Sequence, residues 1–201
     1  VLNALAASSL EAAMLWGVRA AFLSVLILIC ASDVRTRRIP NRFVAAGFAV
    51  ALMWHAFAPP GSGLFDVVGA GALGIGPSIA GALAAFLLFM MLYWFKTMGA
   101  GDVKLMAMLG AFFGVGSLPV LVVSVFSVGG LLVLVRLVDG TRRRAVFTNL
   151  RVLAFGGLAA LSGQAGPRFD ARDTADRLPF ALAIAGGAVA LAALQWLGVL
   201  A

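Results

Sequence analysis

Gly99-Ala100-Gly101-Asp102-Val103-Lys104 is a short polar break between two long apolar runs. One reaches back to about Val67, and the other resumes at once with Leu105-Met106-Ala107-Met108-Leu109. A carboxylate is costly at membrane depth and is rarely placed there without a function, which makes Asp102 the first candidate for chemistry. Gly99 and Gly101 are expected to let the backbone leave helical geometry and bring the carboxylate close to another part of the chain. Its natural partner is Asp33, at the end of the first apolar run, in Asp33-Val34-Arg35-Thr36-Arg37-Arg38-Ile39-Pro40-Asn41.

The surrounding composition assigns the class. Of 201 residues, 63% are hydrophobic and 11% charged, whereas a soluble domain carries about a quarter charged residues. This is an all-α polytopic membrane protein, a single transmembrane domain. Its length suits about six spans of roughly 20 residues with short loops and leaves no room for a soluble catalytic domain. The one cysteine, Cys30, excludes an intrachain disulfide and a Cys-only zinc site, and within an apolar run it reads as a small buried hydrophobe. The net charge of +7 does not point to nucleic acid, because the bases cluster beside apolar runs as cytoplasmic loops do. The chain begins without an initiating Met and with no basic signal-peptide start, so it is expected to be less than the full translation product.

The spans are expected at about 11–31, 42–58, 78–95, 103–115, 119–138 and 180–200, with cytoplasmic loops at about 32–41, 96–102 and 139–178. Arg35, Arg37, Arg38 and Arg42 mark the first loop as cytoplasmic, and Lys96 and Lys104 mark the second. The third opens with Asp139 and carries Arg142, Arg143 and Arg144. Six spans place both termini outside and all three basic loops inside. Arg19, within the first span, is expected to snorkel near the outer edge, with a bundle-facing position as the alternative. Pro40 and Asn41 suit the start of the second helix, and Pro59-Pro60-Gly61-Ser62-Gly63 is a turn on the opposite side. The glycines from Gly69 to Gly76, with Pro77, predict a bent or surface-lying lead-in before the third span. Trp54, Tyr93 and Trp94 fall near span ends, where aromatic anchors belong. The segment 146–161 is expected to be an interfacial helix, with a seventh span as the alternative. No internal repeat stands out.

Eight acids are present. Glu11 and Asp66 belong to the outer side, and Asp139, Asp170, Asp173 and Asp176 share a loop with arginines and read as solvated. Asp33 and Asp102 each adjoin an apolar helix on the cytoplasmic side. Two carboxylates that converge cannot both ionise easily, so one keeps a proton, and such a pair can activate water and protonate a leaving amine. Arg35 and Lys104 each lie two residues beyond an aspartate, a spacing that turns helical side chains apart. The residues alone leave three readings open: a hydrolytic dyad, a proton site in a transporter, and interfacial acids of a structural secretion-system subunit. His55, alone near an outer helix end, reads as structural, as do Gly110 and Gly114, whose spacing allows close helix packing. No spacing suggests a metal site and no glycine-rich segment forms a phosphate loop, so no cofactor is expected.

Asp33-x-Arg35-x-x-x-Ile39-Pro40-Asn41, followed by Gly99-x-Gly101-Asp102-x-Lys104-Leu105, resembles the signature of the type IV prepilin peptidases, membrane aspartic proteases of the Gly-x-Gly-Asp type. Leu178-Pro179-Phe180 through Gly186 resembles the family's final span. The resemblance implies that Asp33 and Asp102 are the catalytic aspartates, with Gly99, Gly101, Lys104, Arg35, Pro40 and Asn41 around them in the active-site loops. It implies a prepilin or pseudopilin substrate whose basic leader is cut after a glycine, just ahead of its hydrophobic helix, at the cytoplasmic face of the bacterial inner membrane. The basic loops are then assigned to topology and to anionic membrane lipids. Longer members carry an amino-terminal region with paired cysteines associated with methylating the new pilin terminus. With one cysteine and no such region, the chain resembles the short, cleavage-only branch that serves tight-adherence (Flp) pili.

Overall fold

The computed structural model describes residues 2–66, 69–95, 98–138 and 180–199, and of 2–10 and 136–138 the backbone alone. The expected loop and helix of 139–178, with Asp139, Asp170, Asp173 and Asp176, lie outside the described residues, as does Lys96. Among the described residues six helices are seen: α1 (Leu2–Thr36), α2 (Asn41–Phe57), α3 (Ile75–Trp94), α4 (Ala100–Phe113), α5 (Leu118–Val138) and α6 (Phe180–Trp196). Three stretches of these are long and apolar enough to cross a membrane: Glu11–Thr36, Ile75–Trp94 and Leu118–Val135. Their outward faces carry large apolar side chains such as Ile27, Leu87 and Val123, which in a water-soluble protein would be a liability.

The chain divides into two compact units, Val1–Val128 with Pro179–Ala201, and Gly129–Leu178. Of the second, the described part is the end of α5. In the first, α4 is the central element. Val103 and every residue from Leu105 to Phe113 are buried, so α4 is apolar all round, as a helix surrounded by others must be. Its neighbours come close because glycine lines the crossing with α3. A Cβ on Gly81 would collide with the Gly110 carbonyl oxygen, and one on Gly110 would collide with that of Gly81. Ser78 Oγ bonds across the same seam to the Ala111 carbonyl at 2.8 Å. Small residues at such crossings are what bring helices together in lipid. Gly110 therefore has the packing role expected of it. Gly114, at φ 72, closes the helix by donating its N–H to the Gly110 carbonyl at 2.9 Å.

At the end of the bundle away from Asp102, Phe22, Phe65, Phe112 and Phe113 pack edge to face or stacked, with ring centroids 4.9–5.9 Å apart. His55 ties this region together. It accepts the Leu73 N–H on Nδ1 at 3.0 Å, and its Nε2 lies 3.2 Å from the Phe112 carbonyl, which assigns the neutral Nε2–H tautomer. The structural role expected for it holds.

Several expectations need correction. Arg19 does not snorkel. It is buried, donates from Nε to the Leu64 carbonyl at 3.0 Å, and lies over the Trp196 and Trp16 rings at 4.6 and 5.2 Å. The aromatic faces replace the water that a snorkelling guanidinium would seek. Trp54 is no interfacial anchor either, since it is 6% exposed within the core, whereas Trp94 is 84% exposed. Of the bent or surface-lying lead-in expected over 69–76, the part before α3 is non-helical and folds back on the turn at 59–63. Pro60 pairs with Ala72 and Gly63 with Ala70 as isolated bridges, and a Cβ on Gly61 would come within 2.6 Å of the Gly71 Cα. The glycines are there because two backbone segments touch.

Candidate active site

Asp33 and Asp102 reach the same end of the first unit by different local devices. The sequence leads one to expect a loop from 32, but α1 runs on to Thr36, so Asp33 is on the helix. No breaker precedes Pro40, and hydroxyl bonds finish the last turn: Thr36 Oγ1 donates to the Ser32 carbonyl at 2.8 Å and Ser32 Oγ to the Arg38 carbonyl at 3.2 Å. Arg37 then turns the chain at φ 53, its N–H bonded to the Asp33 carbonyl at 2.8 Å. Pro40, at φ −69, caps α2 and Asn41 is that helix's first residue.

Asp33 is 8% exposed, and its Oδ2 accepts the Ala181 N–H at 3.4 Å. Ala181 stands in the first turn of α6, where backbone N–H groups have no partner within the helix. The thiol of half-buried Cys30, one turn before Asp33, points to the Ala181 carbonyl at 3.7 Å. Ala181 is a neighbour of Asp33 that sequence reading does not single out. Its contribution is a backbone amide, which no residue type advertises; the signal for it is the resemblance of Leu178 through Gly186 to the family's final span.

Asp102 sits at the third position of α4, ahead of the apolar part of that helix. Its Oδ2 reaches back to the Gly99 N–H at 3.2 Å, one half of a capping box. Gly99 is extended at φ −82, and Gly101 is helical, so neither needs a conformation reserved for glycine. At Gly101 the missing side chain makes room instead: a Cβ there would lie 3.1 Å from the Ile39 Cβ. The expected conformational freedom is thus replaced by close approach, between the loop that follows Asp33 and the residue before Asp102.

Desolvation pushes the Asp102 carboxyl up to about 6, against the Gly99 hydrogen bond that favours the ion, and the negative charge of Asp33 adds to the rise. The two acids, far apart in the chain, stand on elements that meet, since Ile39 packs on Gly101 and Asn41 accepts from Lys104. Neither flanking base neutralises them. Arg35 lies exposed in the last turn of α1, and Lys104 turns away to donate to Asn41 Oδ1 at 3.0 Å. Among the described residues, no three His, Cys, Asp or Glu side chains gather as a metal site requires. A carboxyl pushed up to about 6, at the same end of the unit as a second acid, is suited to general acid–base work on water.

A groove runs between α1 and α6, lined by Ile27, Cys30, Val34, Arg35, Leu182, Gly186 and others. It has a volume of about 620 Å³.

Comparison with known proteins assigns the family. A family profile described as the type IV leader peptidase family matches residues 20–134, which include both aspartates. The prepilin leader peptidase/N-methyltransferase of Pectobacterium carotovorum subsp. carotovorum is 31% identical over 159 residues, covering 76% of this chain and 50% of its own length. The protein of the same description from Aeromonas hydrophila is 33% identical over 114 residues, covering 52% of this chain and 35% of its own length. The chain thus spans half or less of these curated relatives. No solved structure matches it. With the matched region running through α1 to α5 and enclosing both candidate acids, the chain belongs to the type IV leader peptidase family.

Proposed function

We propose that this protein is an aspartic endopeptidase that removes the leader from prepilins, with Asp33 and Asp102 as its catalytic pair. The observation that carries the reading is that the connection after Asp33 packs on the first turn of α4, Ile39 on Gly101 and Asn41 on Lys104, so that two largely buried acids from separate parts of the chain stand at one end of the unit. In this mechanism one carboxylate takes a proton from a water as the oxygen attacks the scissile carbonyl carbon. The other carboxyl gives its proton to the carbonyl oxygen. Collapse of the tetrahedral gem-diol breaks the C–N bond: the departing amine takes the proton that the dyad holds, one diol hydroxyl returns its proton to the dyad as the C=O re-forms, and the pair ends with one proton between its members. The titration belongs to the pair.

The topology proposed is six spans with both termini outside, and the active site facing the cytoplasm across the bacterial inner membrane. The positive loops at 35–42 and beyond support it, since basic loops stay inside. The same bases would contact anionic lipid. The groove along α1 and α6 is lined mainly by apolar side chains, Cys30 and Val34 of the Asp33 helix among them, which suits the hydrophobic segment that follows a prepilin leader. Gly99, Gly101, Arg35 and Pro40 frame the two acids.

The test is co-expression with a prepilin and observation of its mobility shift. Asp33→Asn and Asp102→Asn should each abolish cleavage while the protein still inserts and folds. Processing near the wild-type rate by either variant would remove that aspartate from the mechanism. Solute flux driven by a pH gradient, with no peptide product, would instead identify a transporter.

A further inference from the structure

We propose that Asn41 and Lys104 form a clasp that holds the α1–α2 connection on the first turn of α4 and so sets where Asp33 stands relative to Asp102. The inference rests on the dyad reading above and gives positioning roles to two residues that touch neither carboxylate.

A continuous set of contacts leads from one acid to the other. Asp33 belongs to the last turn of α1, which Ser32 fastens to Arg38 by donating to its carbonyl at 3.2 Å. The connection from Arg37 to Pro40 is short, and its proline caps α2, so Ile39 and Asn41 have little freedom relative to Asp33. Both then land on α4, on either side of Asp102. Ile39 packs on Gly101, one residue before the acid, and Asn41 accepts the ammonium of Lys104, two residues after it. A two-residue step on a helix turns side chains to opposite sides. Lys104 therefore faces away from Asp102 and can anchor its helix without neutralising it.

Both members of the clasp are exposed to solvent, and such surface pairs add little to folding stability. Stability alone gives no reason for a lysine and an asparagine 63 positions apart to meet here. Catalysis does, because misplacement of a reacting group by about 1 Å can slow a reaction by about a hundredfold.

The experiment measures cleavage of a purified prepilin by the full chain in proteoliposomes. Lys104→Met and Asn41→Leu keep the shape of each side chain and remove the bond. Each should lower kcat by about tenfold or more, with KM within about twofold of wild type and the unfolding midpoint unchanged. The double variant should be no slower than the worse single one, since only one bond is lost. Lys104→Arg and Asn41→Asp, which keep a donor and an acceptor, should stay within about threefold of wild type. These two also serve if either apolar variant fails to fold, because a tenfold loss in both would overturn the clasp. It is also overturned if KM rises while kcat is kept, which would make the pair a substrate contact, or if the single losses multiply in the double variant. Wild-type kcat in both apolar variants, with Asp33→Asn and Asp102→Asn inactive, would refute the clasp and leave the dyad standing. Cleavage surviving in the two aspartate variants would end both.

Discussion

Placing a methyl group at the α3–α4 crossing tests whether the seat of Asp102 depends on contact between two backbones. In Gly110→Ala the new Cβ would lie 2.8 Å from the Ala85 Cβ and the Gly81 carbonyl carbon, with the Gly81 oxygen nearer still. Ordinary carbon–carbon contact needs about 3.5–4.0 Å, so α3 and α4 must part by roughly 1 Å. Overpacking of this kind costs about 1–3 kcal/mol. Stretching the Ser78–Ala111 bond, now 2.8 Å, adds up to about 1 kcal/mol, while alanine's better helix propensity returns about 0.5–1 kcal/mol. The net expectation is a loss of about 2 kcal/mol. Gly81→Ala fills the same gap from the other side, so the double variant should lose about 1 kcal/mol less than the sum of the singles. Gly17→Ala is the control. Nothing lies within 4 Å of its Cβ, and it should be neutral or stabilising by up to about 1 kcal/mol. Unfolding by SDS titration in mixed micelles, followed by circular dichroism, measures all four. If Gly110→Ala is as stable as wild type while Gly17→Ala behaves as stated, or if the two crossing variants add fully, the crossing is not close-packed and Asp102 owes its seat to something else.

Three further outcomes follow from single contacts. The Asp102 carboxyl, raised to about 6 in the fold from its ordinary value of 3.8, is favoured in its protonated form. Stability should therefore be full below about pH 4 and fall as pH rises through about 6. Asp102→Asn should show a shallower fall and be more stable than wild type at about pH 8, by about 1–2 kcal/mol after solvent screening; parallel pH curves for the two proteins would contradict it. His55→Leu strips the Leu73 N–H of its acceptor and should cost about 1–3 kcal/mol, read in the same micelle titration, with His55→Gln milder. Gly101→Val should slow prepilin cleavage more than Gly101→Ala, because a Cβ already 3.1 Å from Ile39 leaves no space for branching; equal rates would show that Ile39 yields freely.

The parts of this structure legible in the sequence are those governed by composition and by isolated polar residues. Long apolar runs bounded by arginines locate the helices, and two acids beside such runs mark the candidate site, because a carboxylate there is conspicuous. What escapes reading depends on partners distant in the chain. Snorkelling is the natural expectation for Arg19 because nothing in its own helix announces Trp196 or the Leu64 carbonyl. Trp54 looks like an anchor because its position along the helix is visible and its direction is not. The glycines at 61 and 71 read as punctuation, while their reason is the contact of one backbone with another. A run of arginines resembles a loop and draws Asp33 into it, yet hydroxyl bonds carry the helix one turn further.

The shortness of α4 explains how a carboxyl comes to titrate near neutrality here. Its 14 residues reach about 21 Å at about 1.5 Å per residue, less than the hydrocarbon core of about 30 Å. An ordinary span of that length would leave unpaired backbone groups in lipid. Burial of α4 by its neighbours removes the need to meet lipid, and each end supplies its own partner: Gly114 N–H to the Gly110 carbonyl at one, Asp102 to the Gly99 N–H at the other. Asp102 is thus both a helix cap and a candidate catalyst. The Gly99 N–H and the positive end of the helix favour its anion, whereas desolvation and the charge of Asp33 favour its acid. Removing one influence moves the balance in a known direction. Asp33→Asn takes away a negative neighbour, so the Asp102 pKa should fall and the loss of stability with rising pH should begin at a lower pH than in wild type. An unmoved onset in the micelle titration would mean that the two carboxyls do not sense each other. Because desolvation outweighs the Gly99 N–H, the carboxyl is placed near 6 rather than at its ordinary value, where a group can both give up a proton and take one back near neutral pH, as the proposed dyad requires.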